Sequence, residues 1–305
     1  MGLKDLTERK IGVALRWQDI ERYPELVLEN FNSITPEYEG SFTFINKNST
    51  PNWEPCDKIY EFCKENGLAF RMTPTVQIQH KFIPAWMDNH ADRLKGFIEE
   101  IVWRYENCIG FNLVNEFVSD NGLIIEQSYW YQLLGPRYYE TLLTWAKDAN
   151  PGAKLYIEDH RIQYAKRWQK VHEVAQELKG LVDGVGIHGH HDLPSPLQLP
   201  SFISWSTALK DLGLDVVISE VSLSKGKYAF VDDAIFEEFY AAFVKKLSKD
   251  CPITFWGMLD NRNNRRRFSL FNDDGTPNAS YRGIEKGLDI TSKPLFNLAS
   301  VNLLN

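Results

Sequence analysis

Short apolar runs recur eight times along the chain, and an amphipathic segment follows each one. The runs cover 11–15, 31–35, 68–75, 109–114, 154–157, 182–187, 216–221 and 253–258. Several are nearly continuous in Val and Ile, the pattern of strands buried on both faces of a parallel sheet. The segments between them place apolar residues at helical spacing over 19–30, 54–66, 88–107, 129–150, 161–179, 202–212, 232–249 and 279–288. Two of these end at strong stops, Asn66-Gly67 and Asn150-Pro151-Gly152. Eight strand–helix alternations with no low-complexity linker predict an α/β fold, a single closed (β/α)8 TIM barrel, as one domain over 1–305. A doubly wound open sheet is the alternative. It is weakened because no GxGxxG or GxxxxGK[ST] pattern follows any run.

Composition narrows the function classes. The chain has 34 basic against 41 acidic residues, a net charge of −7. That balance opposes nucleic-acid binding. No apolar run approaches the ~20 residues of a membrane helix, so no membrane partner is expected. The four cysteines form no CxxC pair and read as buried free thiols. The start of the chain lacks a signal-like apolar segment. The expected location is therefore cytoplasmic, or secreted or periplasmic if a signal was removed. No metal and no organic cofactor are expected, and a monomer is. Aromatic residues make up 13% of the chain; rings beyond packing needs suit ring-shaped ligands such as sugars.

In a barrel of this kind the site lies where the strands end. The second run leads into Glu37, Tyr38 and Glu39, the third into Gln77, Gln79 and His80, and the fourth into Asn115 and Glu116. Glu158, Asp159 and His160 end the fifth, and His188, His190 and His191 the sixth. Glu220 ends the seventh; Trp256 and Asp260 close the eighth. Glu116 and Glu220 stand flush at the ends of apolar strands that face each other across a small barrel. A carboxyl pair so placed suits glycoside hydrolysis, one group protonating the leaving oxygen and the other attacking the anomeric carbon.

These blocks resemble glycoside hydrolase family 10, the endo-β-1,4-xylanase family. Phe111-Asn112-Leu113-Val114-Asn115-Glu116 is similar to its Trp-Asp-Val-Val-Asn-Glu acid/base motif, and Val217-Ile218-Ser219-Glu220 to its nucleophile strand. Phe31 to Glu39, His80 with Ile83-Pro84-Ala85-Trp86, Asp183 to His190, and Ile253 to Gly257 resemble further family blocks, in family order. The resemblance implies Glu116 as general acid/base with a raised pKa and Glu220 as nucleophile. It implies Asn115 on the sugar 2-hydroxyl, with His80, His190 and Trp256 walling that subsite and His190 bonded to Glu220. Trp86, Gln79, His188 and Glu39 complete the substrate-binding set, Glu39 being equally readable as a structural partner. The implied substrate is a β-1,4-linked polysaccharide or oligosaccharide.

Departures cluster in substrate binding. Tyr38 and Ser41 stand where the family has Asn and Lys, Gln79 replaces a Trp, and His188 replaces a Gln. The stretch from Arg71 carries a short insertion. The family's second Trp after the last strand is absent, and Arg262, Arg265, Arg266 and Arg267 occupy that loop. Guanidinium forks suit carboxylate or sulfate groups on a sugar, so a decorated or acidic β-glycan is weighed beside xylan. Two other readings stand: a glycan-binding barrel of weak activity, and a metal-dependent hydrolase using His188, His190 and His191. Of the remaining rings, Trp17, Trp103, Trp145 and Trp205 are read as packing, and Tyr38, Phe42 and Trp53 as candidates for sugar stacking.

Overall fold

A computed structural model describes every residue except 49, 74, 78–82, 84–90, 162, 193–198, 225–231, 248, 261–266 and 290–305. After a 3-10 turn at Leu3–Leu6, the strands are β1 (Ile11–Leu15), β2 (Ser33–Pro36), β3 (Ala69–Phe70), β4 (Val76–Gln77) and β5 (Phe111–Asn115). They continue with β6 (Leu155–Asp159), β7 (Gly184–Asp192), β8 (Asp215–Ser224), β9 (Ile253–Trp256) and the short β10 (Arg267–Phe268). Hydrogen-bonded order runs β3-β2-β1-β9-β8-β7-β6-β5-β4, every neighbouring pair parallel, while β10 lies antiparallel on the end of β8.

β3 and β4 are two halves of one barrel strand. The run expected over 68–75 is interrupted, and Thr73-Pro74-Thr75 lacks one amide donor at its centre. The ring nevertheless closes there. Ile109 N donates to Phe70 O at 2.8 Å, Met72 N to Gly110 O at 2.9 Å and Asn112 N to Met72 O at 2.7 Å. The result is the expected (β/α)8 barrel.

The helices are α1 (Trp17–Arg22), α2 (Pro24–Asn30), α3 (Phe42–Ile45), α4 (Glu54–Glu65), α5 (Ala91–Arg104) and α6 (Tyr129–Leu134). They continue with α7 (Tyr138–Ala149), α8 (Ala165–Glu177), α9 (Leu199–Asp211), α10 (Asp233–Lys246) and α11 (Ala279–Leu288). Two expected helices are broken for plain reasons. Pro24 starts a new helix after Tyr23, splitting 19–30. Gly135, at φ 85°, ends α6 ahead of Pro136, splitting 129–150. None of the described helices is long and apolar enough to cross a membrane.

Most apolar burial lies between the strands and the helices around them. Phe42, Trp53, Tyr60, Phe70, Phe97, Tyr105 and Trp130 form one aromatic cluster there, with Trp53 stacked on Phe97 at 5.5 Å and Phe42 edge-on to Trp130 at 5.4 Å. Phe42 and Trp53, candidates for sugar stacking, are thus packing residues. Trp103 departs in the other direction: expected to pack, it is 60% exposed on α5. Trp17, Trp145 and Trp205 do pack against the core. All four cysteines are buried and free, as expected.

Candidate active site

β5 carries five buried residues and delivers Glu116 at its end. Glu116 has φ 54°, a left-handed conformation that costs an L-residue about 1–2 kcal/mol. Its amide donates to Glu158 O on β6 at 2.9 Å, so the strand ladder continues through the strained residue. Its Oε1 lies 3.2 Å from His160 Nδ1 and 3.7 Å from His188 Nδ1. Strain of this kind persists only where surrounding contacts over-determine it, and it marks functional positions.

Glu220 reaches the site through a slip in register. Ile187 pairs with Ile218, but the next residue, His188, pairs with Glu220, so β8 holds one extra residue, Ser219. Side chains alternate along a strand, and an inserted residue resets that alternation. Glu220 therefore shares a side with His188, and Ser222 with His190. His190 bridges the two, Nε2 at 2.8 Å from Glu220 Oε2 and Nδ1 at 2.7 Å from Ser222 Oγ. This is the His190–Glu220 contact expected from the sequence.

His188 sits below these groups, its side chain fully buried. Nε2 is 3.3 Å from Glu158 and 3.5 Å from Glu220, while Nδ1 faces Glu116. Neither nitrogen has a well-aligned hydrogen-bond partner among the described residues. Burial alone would lower the His188 pKa; the surrounding charges of Glu220, Glu158 and Glu116 outweigh it and raise it well above the ordinary imidazole value. Glu158 is itself fully buried, held by Asn112 Nδ2 at 2.5 Å and by the Thr73 hydroxyl. Gly186 leaves room for it: a Cβ there would stand 2.8 Å from Glu158 Cβ.

The Glu116 carboxyl departs from expectation. Burial favours a raised pKa, as a general acid requires, but the close approach and charge of His160 and His188 hold it far below the usual carboxylate range. From sequence, His188 is expected to contact substrate rather than this carboxyl, and His160 has no assigned role.

Asn115 is buried, and its Oδ1 lacks a hydrogen-bond partner among the described residues, leaving an acceptor beside Glu116. Trp256 lies edge-on to His190, centroids 6.4 Å apart. Glu39 joins neither carboxylate. It is buried, accepts from Trp17 N at 3.4 Å and Tyr38 N at 3.2 Å, and is pushed up to about 7, chiefly by burial, against the lowering effect of backbone hydrogen bonds from its own amide and that of Trp17. Gln79, His80, Trp86, Arg262, Arg265 and Arg266 lie outside the described residues; Arg267 opens β10. Glu158 and His160 are the site residues the sequence reading missed. Both follow the fifth apolar run directly, the same position that singled out Glu116 and Glu220.

The three histidines suggested for a metal do not converge. His191 points to the opposite side of β7 and packs on Phe202, Phe239 and Phe243. Donor atoms of Glu116, His160 and His188 lie within 4.8 Å of one another, as do those of His188, His190 and Glu220. Both groups contain a carboxylate of the opposed pair. His190 has both nitrogens engaged by Glu220 and Ser222.

The sequence profile of Glycosyl hydrolase family 10 matches residues 3–286. A Beta-1,4-xylanase of Dictyoglomus thermophilum is 30% identical over 227 residues, 70% of this chain. The chain spans 63% of that relative's length, less than two thirds. Among solved structures, native xylanase 10B from Thermotoga maritima superposes with a TM-score of 0.83 at 26% identity, covering 95% of this chain and 98% of that one. Xylanase 10B from Thermotoga petrophila RKU-1 in complex with xylobiose gives 0.82 at 25% identity, covering 95% and 97%.

Proposed function

The chain belongs to Glycosyl hydrolase family 10, and on that premise we propose that it is a retaining, endo-1,4-β-xylanase-like glycosidase acting as one catalytic domain. Its substrate is xylan or a related β-1,4-glycan. The observation that carries this reading is the pair Glu116 and Glu220, from strands β5 and β8, approaching one buried imidazole from its two nitrogens.

Glu220 attacks the anomeric carbon while Glu116 protonates the departing glycosidic oxygen, giving a glycosyl-enzyme. Glu116 then takes a proton from water, which displaces Glu220 with overall retention. The His190 bond to Glu220 holds the nucleophile in place. Glu116 rests as an anion in the free protein, and the contacts reverse this on binding. Glu116 is 24% exposed, so a bound sugar can reach it. Stripping water from the Glu116 carboxyl on binding favours its protonated form, as a general acid requires.

A decorated or acidic glycan is the second reading, motivated by the altered glycone end, where the Arg16–Glu37 ion pair packs on the ring of Tyr38, the residue that replaces the family's Asn. A binding barrel without turnover is disfavoured by the intact carboxylate pair.

A panel of neutral and acidic β-linked oligosaccharides, with product stereochemistry followed by NMR, tests the reading. The β-anomer is expected first. Glu116→Ala should slow substrates with poor leaving groups by about 10²–10⁴-fold, and Glu220→Ala should abolish turnover. Hydrolysis unchanged in both variants, or an inverted first product, overturns it.

A further inference from the structure

The family pattern has a neutral Gln where this chain has His188, and the structure shows what accompanies the change. His188 is fully buried with Glu158, also fully buried, 3.3 Å away. We propose that His188 and Glu158 form a buried charge pair that acts as a positioning element for both catalytic carboxylates, His188 presenting one fixed positive charge between Glu116 and Glu220. The proposal rests on the glycosidase reading of that pair.

Three geometric facts carry it. The imidazole is shared, Nδ1 toward Glu116 at 3.7 Å and Nε2 toward Glu220 at 3.5 Å, so one charge acts on both groups. Glu158 is built in rather than incidental: Asn112 donates to it at 2.5 Å, Arg71 fixes Asn112 at 3.0 Å, and Gly186 supplies the space. A lone carboxylate buried this deeply needs a counter-charge, and His188 is the imidazole beside it. The charged or titratable groups facing His188 are Glu116 at the end of β5, Glu158 and His160 on and after β6, His190 on β7 itself, and Glu220 on β8. Three carboxylates around one ring favour its cationic form, consistent with its raised pKa.

The sign follows from charge balance. His188→Gln removes the positive charge and leaves Glu158 behind. Both catalytic carboxyls then hold protons more tightly, so the acid limb (nucleophile ionisation) and the basic limb (acid-group deprotonation) of kcat/KM against pH move upward together. An opposite charge at this range is worth about 1–3 pH units. His188→Gln combined with Glu158→Gln removes both charges and restores the balance.

The experiment measures pH profiles of kcat/KM on an aryl β-xylobioside for wild type, His188→Gln and the double variant. In parallel, the His188 imidazole of the wild type is titrated by ¹⁵N NMR. Expected are upward movement of both limbs in His188→Gln, return toward wild-type positions in the double variant, and an imidazole that stays protonated well above its ordinary range. Limbs unmoved in His188→Gln, or an imidazole titrating near the ordinary ~6.5, would overturn the proposal. If His188→Gln does not fold, the NMR titration and the double variant, which must then fold and keep wild-type limbs, decide it. If the wild type cleaves no xyloside, the glycosidase reading fails while the NMR titration still tests the charge pair.

Discussion

Removing Arg167 should destabilise the protein by about 3–5 kcal/mol, the range for breaking a buried ion pair from one side. Its Nη1 lies 2.5 Å from Asp159 Oδ1, with side chains 4% and 0% exposed, and its Nη2 lies 2.6 Å from Asp120. In Arg167→Met, Asp159 keeps the amide donors Val118 N at 3.0 Å and His160 N at 2.8 Å, with the His160 ring 3.6 Å away. Those two amides hold the loss toward the lower end; the half-exposed Asp120 contact adds about 0.2–1 kcal/mol. For a chain of 305 residues the unfolding entropy near Tm is roughly 0.6 kcal/mol/K, so Tm should fall by about 5–8 °C. Burial already raises the Asp159 pKa against the pull of Arg167. Without the guanidinium it rises further, and the folded variant escapes its penalty by taking up a proton. The deficit should therefore be largest near pH 7 and shrink as pH falls toward the ordinary Asp range near 4. Urea unfolding at several pH values measures this, and Arg167→Met with Asp159→Asn should recover part of the loss. A deficit below about 1 kcal/mol, or one independent of pH, would refute the reasoning.

Three further outcomes follow from the same structure. Glu116→Gly should be about 1 kcal/mol more stable than Glu116→Ala, since both lose the carboxyl but only Ala keeps a Cβ at φ 54°; equal stability by urea unfolding would remove the strain. Glu39 carries its proton up to about 7 when folded, against an ordinary 4.5, so it makes stability fall as pH rises through that window, by on the order of 3 kcal/mol. Glu39→Gln should flatten that slope in thermal scans from pH 4 to 8. Gly186→Ala would set a methyl 2.8 Å from Glu158 Cβ and Ser219 Oγ and should cost about 1–3 kcal/mol together with activity, whereas Gly96→Ala on α5, with nothing within 4 Å, should stabilise slightly.

The strands were legible because a barrel strand is buried on both faces and leaves an uninterrupted apolar run. Glu116 was legible for the complementary reason, since it ends such a run, and Glu220 because a carboxylate interrupts one; β8 itself continues buried to Ser224. The register slips were not. An extra residue such as Ser219 changes neither composition nor hydropathy, yet it decides that Glu220 faces His188. Glu158 was in view and given no role, because a carboxylate at a strand end reads as solvated until the packing over it is known. The Glu116 pKa failed for the same cause, since its sign depends on two imidazoles from other strands. Trp103 and Trp53 show the limit of aromatic patterning, which marks a ring as apolar without saying which side of the helix meets water.

The divided strand β3/β4 has an evolutionary consequence. Its lower half is aligned with β2 through Ser33↔Ala69 and its upper half with β5 through Gln77↔Asn115, and between them Met72 and Thr75 bond to the β5 side while the last described bond to β2 is Arg71 N to Ile34 O. Length gained there can be taken up on the β2 side, while the bonds to β5 keep that neighbour in alignment. The resemblance to the family puts a short insertion on that stretch, from Arg71 onward. A lineage can thus lengthen one stave in its middle, next to the strand that ends at Glu116, and leave the hoop around it unbroken.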